Sequence, residues 1–360
     1  MMSQALARTR EDYASAMRLA LDLAAGGLGS CGSNPCVGAV VLDSAGEVVG
    51  AGRTEPHGAR PGRHAEVVAL AQAGARAVGG TVVSTLEPCN GTGRTGPCAQ
   101  AVAAAGVVRA VYAVADPIPK YAGGGRYLAA RGVEVVAGLL EAEGFELHRP
   151  WATASVRGTP WTTLKLASSL DGRAAAADGS SQWITSPDAR ADAHHLRARV
   201  DAIVVGSGTV VADDPRLTVR GVPEPRTPLR VVLDRRGRIP ASARVLDSAA
   251  PALRYGGDLD ALARTLFDEH DVRHLLVEGG PTVAGAYLAA GLVDEVVAYL
   301  APAVLGAGSA AVVTAAFPTI ADARRFTLHD VRRIGPDLRL TLHPAVRGPA
   351  EHARRPSVGG

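Results

Sequence analysis

The sequence predicts a two-domain α/β protein, and three observations carry that reading. At 360 residues the chain is too long for one typical domain. Short apolar runs of strand type alternate with segments of helical period in both halves, the pattern of sheets with helices packed on their faces. From Glu141 to Pro160 the pattern weakens, and a strand-like run restarts at Trp161. The domains are therefore expected at residues 1–150 and 151–345, with 346–360 as a disordered tail.

Each element has a local reason. Tyr13, Met17, Ala20, Leu21 and Ala24 recur at helical spacing and predict a helix over 10–25, stopped by Gly26-Gly27. Residues 37–42 and 48–50 read as strands joined by a turn at 43–46. A Gly- and Pro-rich loop leads to a helix over 64–73, followed by a strand at 81–86. Pro97 opens a short helix that Gly106 closes, and 110–115 is the next strand. The second half begins with a strand at 161–166. Ser186-Pro187-Asp188 then combines an N-cap hydroxyl, a first-turn proline and an early acid, which starts a helix running to Arg199. A buried strand follows at 202–206, with further strands at 229–234, 274–278 and 295–300 and a helix over 282–290. Residues 326–333 and 338–343 alternate and read as a final antiparallel pair.

Composition narrows the function. Hydrophobic residues make up 47% and charged residues 20%, enough for ordinary globular cores, and the aromatic share of 4% means those cores are built from Ala, Val and Leu. A net charge of +3 with scattered Arg residues and no basic, aromatic-interleaved block argues against a nucleic-acid partner. The N-terminal stretch carries early charges and lacks the apolar centre of a signal peptide, so a cytoplasmic location is expected. Residues 296–321 hold no charge and are long enough to span a bilayer. Pro302, Gly306, Gly308, Pro318 and the many alanines instead indicate a buried strand and a Gly-rich loop, so no membrane partner is expected. With no secretory signal, a disulfide framework is not expected for the four cysteines.

Two of those cysteines carry chemistry. His64-Ala65-Glu66 opens a helix, Pro88-Cys89 ends a strand, and Pro97-Cys98 opens another helix. One imidazole and two thiolates suit a catalytic Zn²⁺ that keeps a fourth position for water. Glu66 lies two residues past His64, close enough to reach that water without ligating the metal. This is the logic of the zinc deaminases, with the second cysteine nine positions after the first instead of three. Cys31 and Cys36 precede or enter an apolar strand without a partner His and read as structural.

Together with Thr85-Leu86-Glu87-Pro88-Cys89 and Gly93-Arg94-Thr95-Gly96-Pro97-Cys98, these residues resemble the deaminase half of the bifunctional riboflavin-biosynthesis family. The resemblance implies a cytidine-deaminase-like domain in which Asn34, in Ser33-Asn34-Pro35, contacts the pyrimidine and His57 is another substrate contact. It also implies that Arg94 holds the substrate phosphate. The family has a His where this chain has Gly91. Either the Gly91-Thr92-Gly93 backbone supplies anion donors instead, or phosphate binding rests on Arg94 alone. Gly91→His should improve deamination only in the second case.

In the second half, Gly206-Ser207-Gly208-Thr209 begins like a dinucleotide fingerprint but has Val211 at the sixth position, so it is not one. Glu278-Gly279-Gly280-Pro281-Thr282 ends a strand and opens a helix, where backbone amides can hold a phosphate. In order with Thr163-Leu164-Lys165, Ser181-Gln182-Trp183 and Asp213-Asp214-Pro215, these runs resemble the family's reductase half, which has a dihydrofolate-reductase-like fold. The resemblance implies NADPH contacts at Ala167, Trp183, Thr209, Asp213, Gly280, Pro281, Thr282, Val283, Ala284, Gly285 and Ala286. It implies substrate contacts at Ser181, Arg197, Leu217, Arg220 and Glu278, with the two arginines as phosphate clamps. Lys165, Asp213 and Glu278 are the unranked candidates for stabilising or protonating the reduced centre.

The expected protein is a homo-oligomeric enzyme using Zn²⁺ and NADPH on a phosphoribosylaminopyrimidine. Two rivals stay open: a nucleoside or tRNA deaminase with an unrelated second domain, and a non-enzymatic zinc module. The first leaves the reductase-like runs unexplained. The second needs a fourth protein ligand and gives Glu66 no purpose.

Overall fold

A computed structural model describes residues 10–56, 62–92, 96–222 and 227–345. The expected tail, 346–360, lies outside the described residues. The chain divides into two units, Met1–Trp161 and the part from Thr162 onward, with Ala198–Asp201 and Ala263–His274 grouped with the first.

The first unit contains α1 (Arg10–Ala25), β1 (Gly38–Leu42), β2 (Val48–Arg53), α2 (Ala65–Ala73), β3 (Thr81–Leu86), α3 (Cys98–Ala104), β4 (Arg109–Val114), α4 (Gly124–Ala129), β5 (Glu134–Ala137) and α5 (Glu141–Arg157). Its sheet has the order β2-β1-β3-β4-β5. β1 runs antiparallel to β2 and β3, and β3, β4 and β5 run parallel. Strand alternation serves both faces. Ala39 and Val41 join Ala65, Ala69 and Ala99 on one side, whereas Val40 and Leu42 join Tyr13, Met17 and Ala20 on the other. Such small side chains let helices press onto the sheet. A Cβ at Gly38 would lie 1.9 Å from the Ala20 carbonyl oxygen, and one at Gly50 would lie 2.1 Å from that of Ala69.

The segment of weak pattern, 141–157, is a helix of 17 residues with Pro150 inside it. Its buried positions are Gly144, His148 and Ala154, so no apolar stripe announces the helical period. β5, likewise not expected, is an edge strand with no fully buried residue.

The second unit contains β6 (Trp161–Ser169), α6 (Pro187–Ala198), β7 (Ala202–Gly206), α7 (Ser207–Asp213), β8 (Leu229–Leu233), β9 (Ala252–Tyr255), the start of α8 (Leu259–Asp268), β10 (His274–Val277), α9 (Pro281–Ala290), β11 (Glu295–Ala301), β12 (Phe326–Ile334) and β13 (Asp337–Pro344), the rest of α8 being grouped with the first unit. The eight-stranded order is β12-β13-β11-β6-β10-β7-β8-β9. β10, β7, β8 and β9 form a parallel run, β6 and β11 are parallel, and β12 and β13 form the expected antiparallel pair. The charge-free run begins as β11 and continues as loop, and no helix among the described residues is long and apolar enough to cross a membrane.

Candidate active sites

The antiparallel register Ala39↔Ser84 brings the residues preceding β1, Asn34-Pro35, to the sheet edge where β3 ends in Glu87-Pro88-Cys89. His64 is the N-cap of α2 and Cys98 is the first residue of α3. His64 Nδ1 lies 3.1 Å from Cys98 Sγ and 3.6 Å from Cys89 Sγ, and the three ligand atoms all fall within 4.8 Å of one another. Tetrahedral ligands at ordinary Zn–S and Zn–N lengths stand about 3.5–3.8 Å apart. The donor set therefore fits zinc and leaves a fourth position.

The thiols are prepared for it. A hydrogen bond with Cys98, aided by His64, overcomes burial and brings the Cys89 thiol down to about 4. The same contact, with burial, pushes Cys98 up. Zinc takes cysteine as thiolate, so a bound cation would displace the thiol protons. The Cys98 amide, at the start of α3, donates to Cys89 Sγ at 3.3 Å. Glu66, in the first turn of α2, is 4% exposed, and burial pushes its carboxyl up to about 7. It is not part of the ligand cluster among the described residues.

His57 and Arg94 lie outside the described residues. Asn34 is half-buried in a loop held from two sides. Trp151 Nε1, on α5, donates to the Ser33 carbonyl at 3.2 Å, and the Thr54 hydroxyl donates to the Pro35 carbonyl at 3.0 Å. The absence of a disulfide, expected from the sequence, is corrected here: Cys31 and Cys36 are bonded, with Cα atoms 5.6 Å apart. The turn marked by the Asn34 amide donating to the Cys31 carbonyl at 3.2 Å folds the chain back into disulfide reach. A compartment argument cannot see that local geometry.

Gly91 is explained by packing. A Cβ there would stand 2.3 Å from the Lys120 carbonyl oxygen and 2.9 Å from Tyr121 Cδ1, and the Asn90 amide donates to the Tyr121 carbonyl at 2.7 Å. Backbone occupies the space a side chain would need. Gly91→His is therefore expected to lose about 1–3 kcal/mol of stability, as overpacked sites do, and not to raise deamination. Thermal melting and ammonia release, measured together, check both halves.

The sequence reading gave no role to Glu87. It is 7% exposed and accepts from the Gly125 amide at 2.9 Å and the Asp116 amide at 3.2 Å. It thus ties α4 and the loop after β4 to the strand end that carries Cys89. Its signal was an acid inside an otherwise ligand-bearing run.

In the second unit, the parallel run places the C-terminal ends of β7, β8, β9 and β10 along one edge, where ligands of open α/β sheets bind. A cavity of about 1280 Å³ opens there. Lys165, Ala167, Ser181, Trp183, Arg197, Thr209, Asp213, Leu217, Arg220 and Glu278 all line it, as do Gly280, Pro281, Thr282, Val283 and Ala286. Ala284 and Gly285 do not. Ala284 is fully buried, and a Cβ at Gly285 would lie 2.0 Å from the Val313 carbonyl oxygen, because α9 turns these positions away from the cavity. Gly280 is the N-cap of α9 and Pro281 occupies its first turn, so this helix start is of the kind that can hold a phosphate.

Inside the cavity the charges are paired. Arg197 Nε lies 3.0 Å from both Glu278 carboxylate oxygens and Nη2 lies 2.5 Å from one of them. Arg197 is therefore committed to Glu278 and is less available as a phosphate clamp than the sequence suggested. Burial pushes the Glu278 carboxyl up, but Arg197 and Lys165 outweigh it and hold it below its ordinary value. Burial pulls the Lys165 ammonium down, with Glu278 opposing. The Arg220 amide donates to His194 Nδ1 at 3.3 Å, Gln182 Nε2 donates to Asp213 Oδ1 at 3.1 Å, and Arg190 stacks over the Trp183 ring at 4.5 Å. Arg235, Arg236, Arg238 and Arg244 line the same cavity and were missed. Their signal was the basic cluster in Asp234-Arg235-Arg236-Gly237-Arg238 directly after a strand.

Comparison with known proteins identifies both halves of the chain. Residues 10–114 match the cytidine and deoxycytidylate deaminase zinc-binding region, and residues 160–340 match the RibD C-terminal domain. The chain is 47% identical to the riboflavin biosynthesis protein RibD of Mycobacterium tuberculosis, over 91% of this chain and 96% of that protein. Among solved structures, Acinetobacter baumannii RibD is 38% identical with a TM-score of 0.84, covering 94% of this chain and 100% of that one. A Thermotoga maritima protein, described as a diaminohydroxyphosphoribosylaminopyrimidine deaminase/5-amino-6-(5-phosphoribosylamino)uracil reductase, is 30% identical with a TM-score of 0.85, covering 93% and 99%. This chain therefore belongs to the RibD family of riboflavin-biosynthesis proteins, with a zinc-binding deaminase region followed by an NADPH-dependent RibD C-terminal reductase domain.

Proposed function

We propose that the chain carries out two successive steps on one pyrimidine. The first is hydrolytic deamination of 2,5-diamino-6-(5-phosphoribosylamino)pyrimidin-4-one. The second is NADPH reduction of the ribosyl group of 5-amino-6-(5-phosphoribosylamino)uracil to ribityl. The observation that carries the reading is a three-donor zinc cluster with a buried, non-ligating Glu66 beside it, in a chain that aligns over most of its length with RibD proteins. The division between the activities is proposed at the end of α5 and not at residue 150, because Pro150 lies within that helix.

Zinc, when bound, supplies Lewis acidity and a water reactive near neutral pH. In this reading Glu66 takes a proton from the attacking water and returns it to the departing amine, while Asn34 and His57 orient the pyrimidine and Arg94 holds its phosphate. In the second unit NADPH supplies hydride. The amides at Gly280, Pro281 and Thr282 offer three positions of which Pro281 lacks a donor, so Gly280 and Thr282 hold cofactor phosphate there. Lys165 and Glu278 hold or move the proton taken up by a heteroatom of the opened ribosyl group as its carbon receives hydride, Arg197 orients Glu278, and Arg220 reaches the substrate phosphate. Asp213 is less suited to a proton role because it is exposed and tied to Gln182.

Purified protein should release ammonia from the diamino substrate and oxidise NADPH with the deaminated one. Stripping zinc with a chelator should abolish the first and spare the second, because no reductase-cavity residue belongs to the ligand cluster. Loss of both on chelation would count against separate sites. A cytoplasmic location and a homo-oligomeric state belong to the same proposal, and cell fractionation and light scattering test them.

A further inference from the structure

Asn34 sits inside a ring that the protein closes on itself. The Cys31–Cys36 disulfide spans Gly32, Ser33, Asn34 and Pro35. The two cysteines are 2% and 8% exposed, while Asn34 is only half-buried. Side-chain donors, the Trp151 indole and the Thr54 hydroxyl, hold the ring's carbonyls at Ser33 and Pro35, on either side of Asn34. Among the described residues the Asn34 carboxamide has no hydrogen-bond partner, so both its donor and its acceptor remain available.

The Gly27 carbonyl oxygen lies 3.4 Å from Cys31 Sγ and 3.1 Å from Cys36 Sγ, an acceptor close to either sulfur. Opening the S–S bond removes the covalent closure around the anchors at Ser33 and Pro35. The turn closed by the Asn34 amide on the Cys31 carbonyl, at 3.2 Å, is a backbone contact distinct from the S–S bond.

We propose that the Cys31–Cys36 disulfide is a positioning tether for Asn34, so that the redox state of this pair sets how tightly the deaminase site holds its pyrimidine. The inference rests on the reading of Asn34 as a pyrimidine contact. Cys31 and Cys36 touch no substrate; they act through Asn34. Holding a contact residue in its bound conformation removes an ordering cost from binding, and that cost returns when the ring opens.

The test uses the full, zinc-loaded protein and a water-soluble trialkylphosphine. The phosphine attacks one sulfur and the S–S bond breaks. Water delivers its oxygen to phosphorus and its protons to the two sulfurs, leaving phosphine oxide and two thiols. Reduction should raise KM for deamination by about three- to tenfold with kcat changed by less than about twofold. Zinc content and NADPH oxidation on the second substrate should not change, and reoxidation by a small disulfide should restore the original KM. The Cys31→Ser/Cys36→Ser double variant should show the raised KM and ignore the phosphine. Should that variant fail to fold, reversible reduction of the wild type still decides the matter. Asn34→Ala serves as the reference. If it leaves KM unchanged, Asn34 is not a pyrimidine contact and the underlying reading falls. If it raises KM while neither reduction nor the double variant does, the reading stands and the tether is overturned. An equal fall in both activities, or loss of zinc on reduction, also overturns it.

Discussion

Glu66→Gln should keep its zinc and lose ammonia release by about 10²- to 10⁴-fold, the usual contribution of a positioned general acid–base group. The side chain is 4% exposed and sits in the first turn of α2, two residues after His64, so it shares the ligand's rigid helix. Burial holds its carboxyl up to about 7, where it can both accept and return a proton near neutrality. Glutamine preserves the volume and one hydrogen-bonding oxygen but cannot carry the proton. Because the ligand atoms belong to His64, Cys89 and Cys98, metal content should equal that of the wild type. Zinc analysis and ammonia release on the same preparation separate the outcomes. Near-normal release would remove Glu66 from the proton path, and lost zinc would make it a ligand.

Glu278→Gln should cut NADPH oxidation by on the order of 10²-fold or more while ammonia release stays intact. The Glu278 side chain is 6% exposed and meets Arg197 Nη2 at 2.5 Å, with Lys165 nearby. Neutralising the carboxylate leaves Arg197 and Lys165 without the opposite charge they share. Breaking one side of a buried pair typically costs about 3–5 kcal/mol, because a charge is left uncompensated. The pH dependence has a defined sign. Arg197 and Lys165 outweigh burial and hold the Glu278 carboxyl below its ordinary 4.5, so its stabilisation is fully present above that value. It is lost as pH falls through the depressed folded value. The stability gap between wild type and Glu278→Gln should therefore be widest at neutral pH and close in acid. A variant that retains most of its NADPH oxidation and melts like the wild type would show the pair to be dispensable.

Neighbouring residues were enough for part of this protein. His64, Cys89 and Cys98 were legible because ligand types stood at helix starts and a strand end, positions that caps and prolines mark locally. Strands such as Thr81–Leu86 and Ala202–Gly206 were read from apolar runs, since a strand buried on both faces needs nothing but such a run. The final pair β12 and β13 followed from alternation alone. Other features depended on which segments the fold brings side by side. α5 hides its helical period because His148 and Gly144 form much of its buried face, and their partners on the sheet are distant in sequence. Gly91 looked like a lost ligand contact until the Lys120–Tyr121 backbone proved to fill its space. Arg197 read as a phosphate clamp because its carboxylate partner lies at the end of another strand, 81 residues away. Local patterns report backbone torsions and hydrophobic period, which act over a few residues; the pairing of charges and the room for a side chain are set by neighbours across the sheet, and only the tertiary structure names them.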